Sequence, residues 1–252
     1  MKLAFFGGTF DPVHRGHLAI ARAAAAKFDL DAVYFVPADL PPHKGNRHLT
    51  EFQHRYAMLA LATADADRFI PSLLEADSGQ PNYSIRTVRR LKSGLTRSDT
   101  LYFLIGIDAF MEISTWKQPV QLLAECDFIV ASRPGYSMSD LLQALPEGVR
   151  PSGAVLQALR KQQAGGTIAL PTTRIHVLPD VNEPVSSTQI RAASRKSVQQ
   201  LSRYVPAAVA RYIKKEHLYV SSPAQREKTT GKDGKVLSFR RAHHHEESRE
   251  QG

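Results

Sequence analysis

Residues 3–21 read LAFFGGTFDPVHRGHLAIA. The apolar run Leu3-Ala4-Phe5-Phe6 has the composition of a buried strand. It stops at Gly7-Gly8, passes through Asp11-Pro12, and reaches His14 and His17 where an alanine-rich helix begins, predicted over 19–28. A strand, a tight glycine turn and a helix N-terminus make an anion-binding unit, because backbone N–H groups and the positive end of the helix dipole converge there. Two imidazoles three residues apart share one face of the helix start, so both can reach the same anion. An isolated HxxH is ordinarily a surface or packing pair; here the flanking strand and helix supply the setting that phosphate chemistry needs.

The chain of 252 residues is long enough for one domain with a sizeable core. Its one cysteine, Cys126, excludes an internal disulfide and a cysteine-rich zinc site, and suits a reducing cytoplasm. No stretch approaches the roughly 18 apolar residues of a membrane span. The N-terminus enters a strand without a signal-peptide core. A cytoplasmic protein with no membrane partner is expected. The formal charge is +9; residues 221–252 hold seven Lys/Arg against five Asp/Glu, so residues 1–220 keep +7. That surplus admits a nucleic-acid partner. The basic residues are nonetheless scattered, apart from pairs such as Arg89-Arg90 and Lys214-Lys215, and a cleft for polyphosphates calls for the same sign. Nucleic acid is the weaker explanation.

Further apolar runs at 32–36, 69–74, 101–105, 128–131 and 174–178 read as strands, with helical stretches between them. This alternation predicts a Rossmann-like, doubly wound parallel sheet with helices on both faces. Thr50-Glu51-Phe52-Gln53 has the form of a capping box opening a helix to residue 64, with His54 and Arg55 as surface or support residues. Ser84 reads as the N-cap of a helix to about residue 92. Gly106 and Asp108 lie just past the fourth strand, where open α/β sheets bind ligands, although Asp108 also suits an ordinary helix cap. Arg133 follows the next strand; its planar fork fits phosphate, and a plain surface arginine is the alternative. The loop Pro41-Pro42-His43-Lys44 is stiff and cationic, or simply a solvated turn. Residues 136–173 contain two short helical patterns before Gly165-Gly166, either a cover for the cleft or a homo-oligomer contact. Ser186-Ser187-Thr188 opens a second hydroxyl-rich helix with Arg191 one turn in, another place for phosphate. A last helix spans 206–217. The domain is expected over 1–220, followed by a disordered polar tail, in which His243-His244-His245 is weak evidence for a metal site.

The run from Gly8 to His17 resembles the GTFDPxHxGH signature of the adenylyl- and cytidylyltransferase superfamily, and the chain to about Val220 is similar to the bacterial nicotinate-nucleotide adenylyltransferases. The resemblance implies transfer of AMP from ATP to nicotinate mononucleotide, giving deamido-NAD and pyrophosphate, with Mg²⁺ carried on the ATP phosphates and no protein metal site. It assigns His14 and His17 to catalysis, and Gly7, Gly8, Thr9, Phe10, Lys44, Arg133, Ser187, Thr188 and Arg191 to ATP and its phosphates. Tyr83, Ser84, Gly106, Asp108 and Trp116 fall to the nicotinate nucleotide, with Trp116, the single tryptophan, stacking on the pyridine ring unless it belongs to the core. Two positions depart from the family pattern: Ser84 replaces the commoner Thr, and Arg86 stands where an acidic residue is usual. Nicotinamide mononucleotide and phosphopantetheine are rival acceptors. A nucleotide-binding regulator without catalysis is the rival class.

Overall fold

The computed structural model describes residues 1–42, 49–76, 79–160, 166–179, 181 and 185–220. The apolar runs become β1 (Lys2–Gly8), β2 (Ala32–Pro37), β3 (Phe69–Pro71), β4 (Thr100–Gly106), β5 (Asp127–Ala131), β6 (Gly166–Ala169) and β7 (Arg174–Leu178). They form one sheet in the order β3-β2-β1-β4-β5-β7-β6. Every pairing is parallel except β6 with β7. The interleaved helices are α1 (Arg15–Phe28), α2 (Phe52–Thr63), α3 (Ser84–Lys92), α4 (Ile107–Phe110), α5 (Pro119–Glu125), α6 (Met138–Gln143), α7 (Gly153–Leu159), α8 (Ser187–Ala193), α9 (Val198–Leu201) and α10 (Ala207–Lys215).

Side chains alternate across the strands, as the pleat requires. Phe6, Leu104 and Ile129 face a core with Leu18, Met58, Ile190 and Val209, whereas Phe5, Phe103 and Phe128 face another with Val88, Phe110, Leu122 and Leu141. Burial on both faces explains why the central strands read as unbroken apolar runs. Chain order reverses between β1 and β4, which places Gly7-Gly8 and Gly106 side by side at the carboxyl edge, the position where such sheets open a crevice.

Five local expectations differ from the structure. Residues 166–169, expected to be part of an irregular elaboration, form an edge strand. The Leu170 N–H donates to the Thr173 carbonyl at 2.9 Å, a tight turn that forces β6 to run antiparallel to β7. The Thr50 capping box does not form: Glu51 is the N-cap without a side-chain bond, and Thr50 is buried, giving its N–H to Asp11 Oδ2 at 3.3 Å. Tyr83, not Ser84, is the N-cap of α3, and Gly106, not Asp108, is that of α4. His14 itself caps α1, which therefore starts at Arg15 rather than near residue 19. The expected polar tail, 221–252, lies outside the described residues.

Of the two readings of Arg55, surface or support, the structure selects support: the residue is only 1% exposed. Its Nε donates to the Thr50 carbonyl at 2.7 Å, and Nη1 donates to the carbonyls of Thr9 at 2.9 Å and Ala38 at 2.7 Å. One guanidinium thus joins the loops after β1 and β2 to the start of α2. Arg55→Leu leaves these three acceptors without their donor, and each such loss costs about 1 kcal/mol or more. Urea unfolding of this variant is expected to show a loss of at least about 3 kcal/mol, against under about 1 kcal/mol if Arg55 were dispensable.

Candidate active site

At the β1–β4 edge the chain encloses a cavity of about 510 Å³. Its wall includes Gly7, Gly8, Thr9, His14, His17, Tyr83, Ser84, Gly106, Asp108, Trp116, Arg133 and Ser187. The end of β1 leaves little room for a side chain: a Cβ on Gly7 would lie 2.8 Å from the Phe5 ring, so something must shift, and one on Gly8 would sit tightly, 3.2 Å from the Phe10 ring. Phe10 is not on the wall. Its backbone turns through φ +46° and its ring is buried among Phe6, Phe35 and His17, so its side chain is part of the core.

The two imidazoles are locked by a reciprocal cap. The His17 N–H donates to His14 Nδ1 at 3.4 Å, and the His14 N–H donates to His17 Nδ1 at 3.2 Å. The rings stack with centroids 3.7 Å apart. Because both Nδ1 atoms accept, the proton of each neutral ring sits on Nε2, making that nitrogen a donor. Burial, aided by the Arg133 charge, lowers the pKa of His14 to about 4, so its ring is neutral near pH 7.

The turn bearing Thr9 and Asp11 is held from the far end of the chain. Tyr219 donates its hydroxyl to Asp11 Oδ1 at 2.7 Å, Arg191 Nη1 donates to the Asp11 carbonyl at 2.7 Å, and Ser187 Oγ donates to the Pro12 carbonyl at 3.0 Å. Ser186 caps α8 by accepting from the Gln189 N–H at 3.3 Å. Thr188 and Arg191 are off the cavity wall and bonded to each other at 3.1 Å, with Arg191 serving as a prop for the opening turn. Lys44 lies outside the described residues.

Asp108 and Arg133 meet across the opening, with 3.0 Å between Nη1 and Oδ2. Tyr136 donates its hydroxyl to Asp108 Oδ1 at 2.9 Å, a contact that no sequence pattern signals. Trp116 is half-buried beside Phe103, its ring centroid 6.1 Å away, with the indole still on the cavity wall. Its core and cavity readings therefore coexist. Glu75 and Glu112 also line the cavity and were missed from sequence, because neither sits in a patterned motif; Asn82 and Lys117, next to Tyr83 and Trp116 in the chain, line it as well. Among the described residues no three His, Cys, Asp or Glu side chains gather to hold a metal, and no helix is long and apolar enough to cross a membrane.

A crevice at a sheet's chain reversal, with a glycine turn and two imidazoles at a helix N-terminus, defines a nucleotide-binding α/β protein of the nucleotidyltransferase type. The Cytidylyltransferase-like family model matches residues 5–193. A Desulfotalea psychrophila protein named "probable nicotinate-nucleotide adenylyltransferase" is 38% identical over 220 residues, covering 86% of this chain and 99% of that one. A Geobacter sulfurreducens protein of the same name is 37% identical, covering 87% and 98%. The chain belongs to the nicotinate-nucleotide adenylyltransferase branch of the Cytidylyltransferase-like family. The fold is shared with Plasmodium falciparum nicotinic acid mononucleotide adenylyltransferase, solved in complex with NaAD, at TM-score 0.63 and 18% identity over 86% of this chain and 97% of the other.

Glu75 gives the site a titration signature. The side chain accepts a short hydrogen bond from Thr87 Oγ1, but burial dominates and raises its pKa to about 7. In the unfolded chain it ionises near 4.5. Between those values the folded state holds the extra proton, so stability falls as pH rises through the window. Glu75→Gln lacks that term. Its stability relative to the native chain should rise from pH 4.5 to 7, by up to about 3 kcal/mol, as followed by thermal unfolding. A pH-independent difference between the two proteins would contradict this assignment.

Proposed function

We propose that this chain transfers AMP from ATP to nicotinate mononucleotide, forming deamido-NAD and releasing pyrophosphate. The observation that carries the reading is the convergence of both imidazoles, the β1 glycine turn, Ser187 and Trp116 on one cavity. An oxygen of the acceptor phosphate attacks the ATP α-phosphorus, the new P–O bond forms as the α–β bridging bond breaks, and the electron pair leaves with pyrophosphate. Such a step needs alignment and charge stabilisation more than a protein nucleophile.

His14 and His17 present Nε2 donors to the α-phosphate and bridging oxygens, with no phosphohistidine formed. The arriving polyphosphate raises the basicity of the imidazoles, since a nearby anion favours the charged ring. Gly7, Gly8 and Thr9 place backbone groups along the same phosphates. Arg133 exchanges Asp108 for phosphate oxygens, and the freed carboxylate meets hydroxyl groups of the nucleotide. Trp116 stacks on the pyridine, and Tyr83 with Ser84 bonds its carboxylate. Arg191 acts from behind the turn, fixing Asp11 and adding positive charge.

The divalent cation we assign is Mg²⁺. Mg²⁺ is characteristically bound through few protein ligands and several waters, so the ATP phosphates are its expected carriers. When bound it neutralises charge on the polyphosphate. We place the reaction in the cytoplasm, because the chain carries a single, half-buried cysteine and so no internal disulfide.

Purified protein with ATP and Mg²⁺ should release pyrophosphate when nicotinate mononucleotide is added and remain silent with phosphopantetheine. Equal release with phosphopantetheine, or none with any acceptor, contradicts the reading.

A further inference from the structure

The positive charge of the domain is gathered on one side of the sheet. Residues 15–28, which form α1, carry three Lys/Arg and no Asp/Glu, and residues 185–219, which include α8, α9 and α10, carry seven against Glu216 alone. These two segments hold a net +9, so the rest of residues 1–220 carries −2. Cations that look scattered along the sequence are brought together by the fold, because Leu18, Ile190, Leu201 and Val209 of the four helices share one core. Polar contacts tie the same helices at their surfaces. Arg15 Nε and Nη2 donate to the Ser202 carbonyl at 3.2 and 3.1 Å, and Lys214 Nζ donates to the Ser194 carbonyl at 3.0 Å.

Carbonyl acceptors hold these cations without cancelling their charge. No ion pair among the described residues involves Arg15, Lys196, Arg203, Arg211, Lys214 or Lys215. Lys214 and Lys215 sit in the last turn of α10, where they also suit the helix dipole. Lys196 and Arg203 lie in the connections on either side of α9 and Arg211 in the middle of α10, all three exposed and outside the last turn of any helix. The face meets the cavity at the end that holds the histidines. Gly16, His17 and Ile20 of α1 and Ser187 of α8 line the wall, and Arg15, beside His14, is exposed. A surface of one sign bordering a cleft concentrates the opposite charge there and speeds its capture by about 10- to 1,000-fold.

We propose that the face formed by α1 and α8–α10 is a capture surface for nucleoside triphosphate, drawing the polyanion to the histidine end of the cavity from outside it. This rests on the proposed function for the end that the polyphosphate takes. Lys196, Arg203 and Arg211 are not on the cavity wall, so they act on the encounter and on the potential in the cleft, not on the bond-making step. Their loss lowers kcat/KM for ATP and leaves kcat unchanged.

The test reverses Lys196→Glu, Arg203→Glu and Arg211→Glu together. The comparison is an equal number of reversals elsewhere: Lys2→Glu at the start of β1, Arg97→Glu before β4 and Arg160→Glu after α7. At about 0.01 M salt, where charges act over about 30 Å, the first set should lower kcat/KM for ATP about fivefold, with kcat within about 1.5-fold of native. Calorimetry with a non-cleavable ATP analogue should show binding weakened by a similar factor, about fivefold. The second set should change either quantity by under about twofold. Replacing the first three residues by Gln should give about a twofold loss, which keeps the test open if the reversed variant folds poorly. At about 1 M salt, where the range is about 3 Å, native protein and variants should converge. An unchanged kcat/KM at low salt, an equal loss from both sets, or a fall in kcat would overturn the proposal. So would lost binding of a fluorescent single-stranded oligonucleotide with ATP kinetics unaltered, which would assign the face to nucleic acid. A native protein that binds the analogue but makes no product from nicotinate mononucleotide would sink the functional reading, while the calorimetric comparison would still decide the proposal.

Discussion

Three carbonyls along the turn that follows β1 receive side-chain donors from other parts of the chain. Arg55 holds Thr9, Arg191 holds Asp11, and Ser187 holds Pro12. A glycine-led loop with no ladder of its own would otherwise spread over many conformations, and ordering it costs entropy. Cross-linking it to α2, α8 and Tyr219 moves that cost into folding, so the backbone that faces a phosphate is in place beforehand. Preorganised dipoles of this kind are more effective than ones that must reorient during the reaction. The two segments that look like separate phosphate motifs in sequence are therefore one structure, because the second props up the first.

Charge management follows from that geometry. Two imidazoles stacked at 3.7 Å would repel if both were cationic, and burial keeps His14 neutral until an anion arrives. Arg133 and Asp108 hold one another while exposed, in a pair that contributes little to stability and is readily exchanged for substrate contacts. The fixed contacts lie behind the glycine turn, whereas the ion pair is exposed on the cavity wall.

The strands and their order of appearance were legible because a sheet covered on both faces writes itself as continuous apolar runs. The opening glycine turn was legible for a similar reason: its residue types leave few conformational choices. What stayed hidden depends on tertiary encounters. Arg55 looks like a helix-surface residue until Thr9 and Ala38 are brought to it. Thr50 fits a capping box, yet its N–H is claimed by Asp11 and its carbonyl by Arg55. The β6 strand is short and mostly exposed, so it leaves no apolar signature. Glu75 lines the cavity and Tyr136 bonds the wall residue Asp108, each from a segment whose local sequence encodes no motif. Thr188 and Arg191, expected to bind phosphate, are bonded to each other, and Arg191 also holds the Asp11 carbonyl, a contact that sequence does not signal.

The claim that joins fold to chemistry is that two stacked imidazoles and two pre-shaped turns hold one nucleoside polyphosphate. It is tested most directly by a crystal structure with an ATP analogue whose α–β bridge cannot be cleaved. The α-phosphate should lie within hydrogen-bonding reach of Nε2 of both His14 and His17, with the remaining phosphates between Gly8 and the start of α8. A nucleotide seated away from those rings, or rings rotated out of the shared cavity on binding, would contradict it.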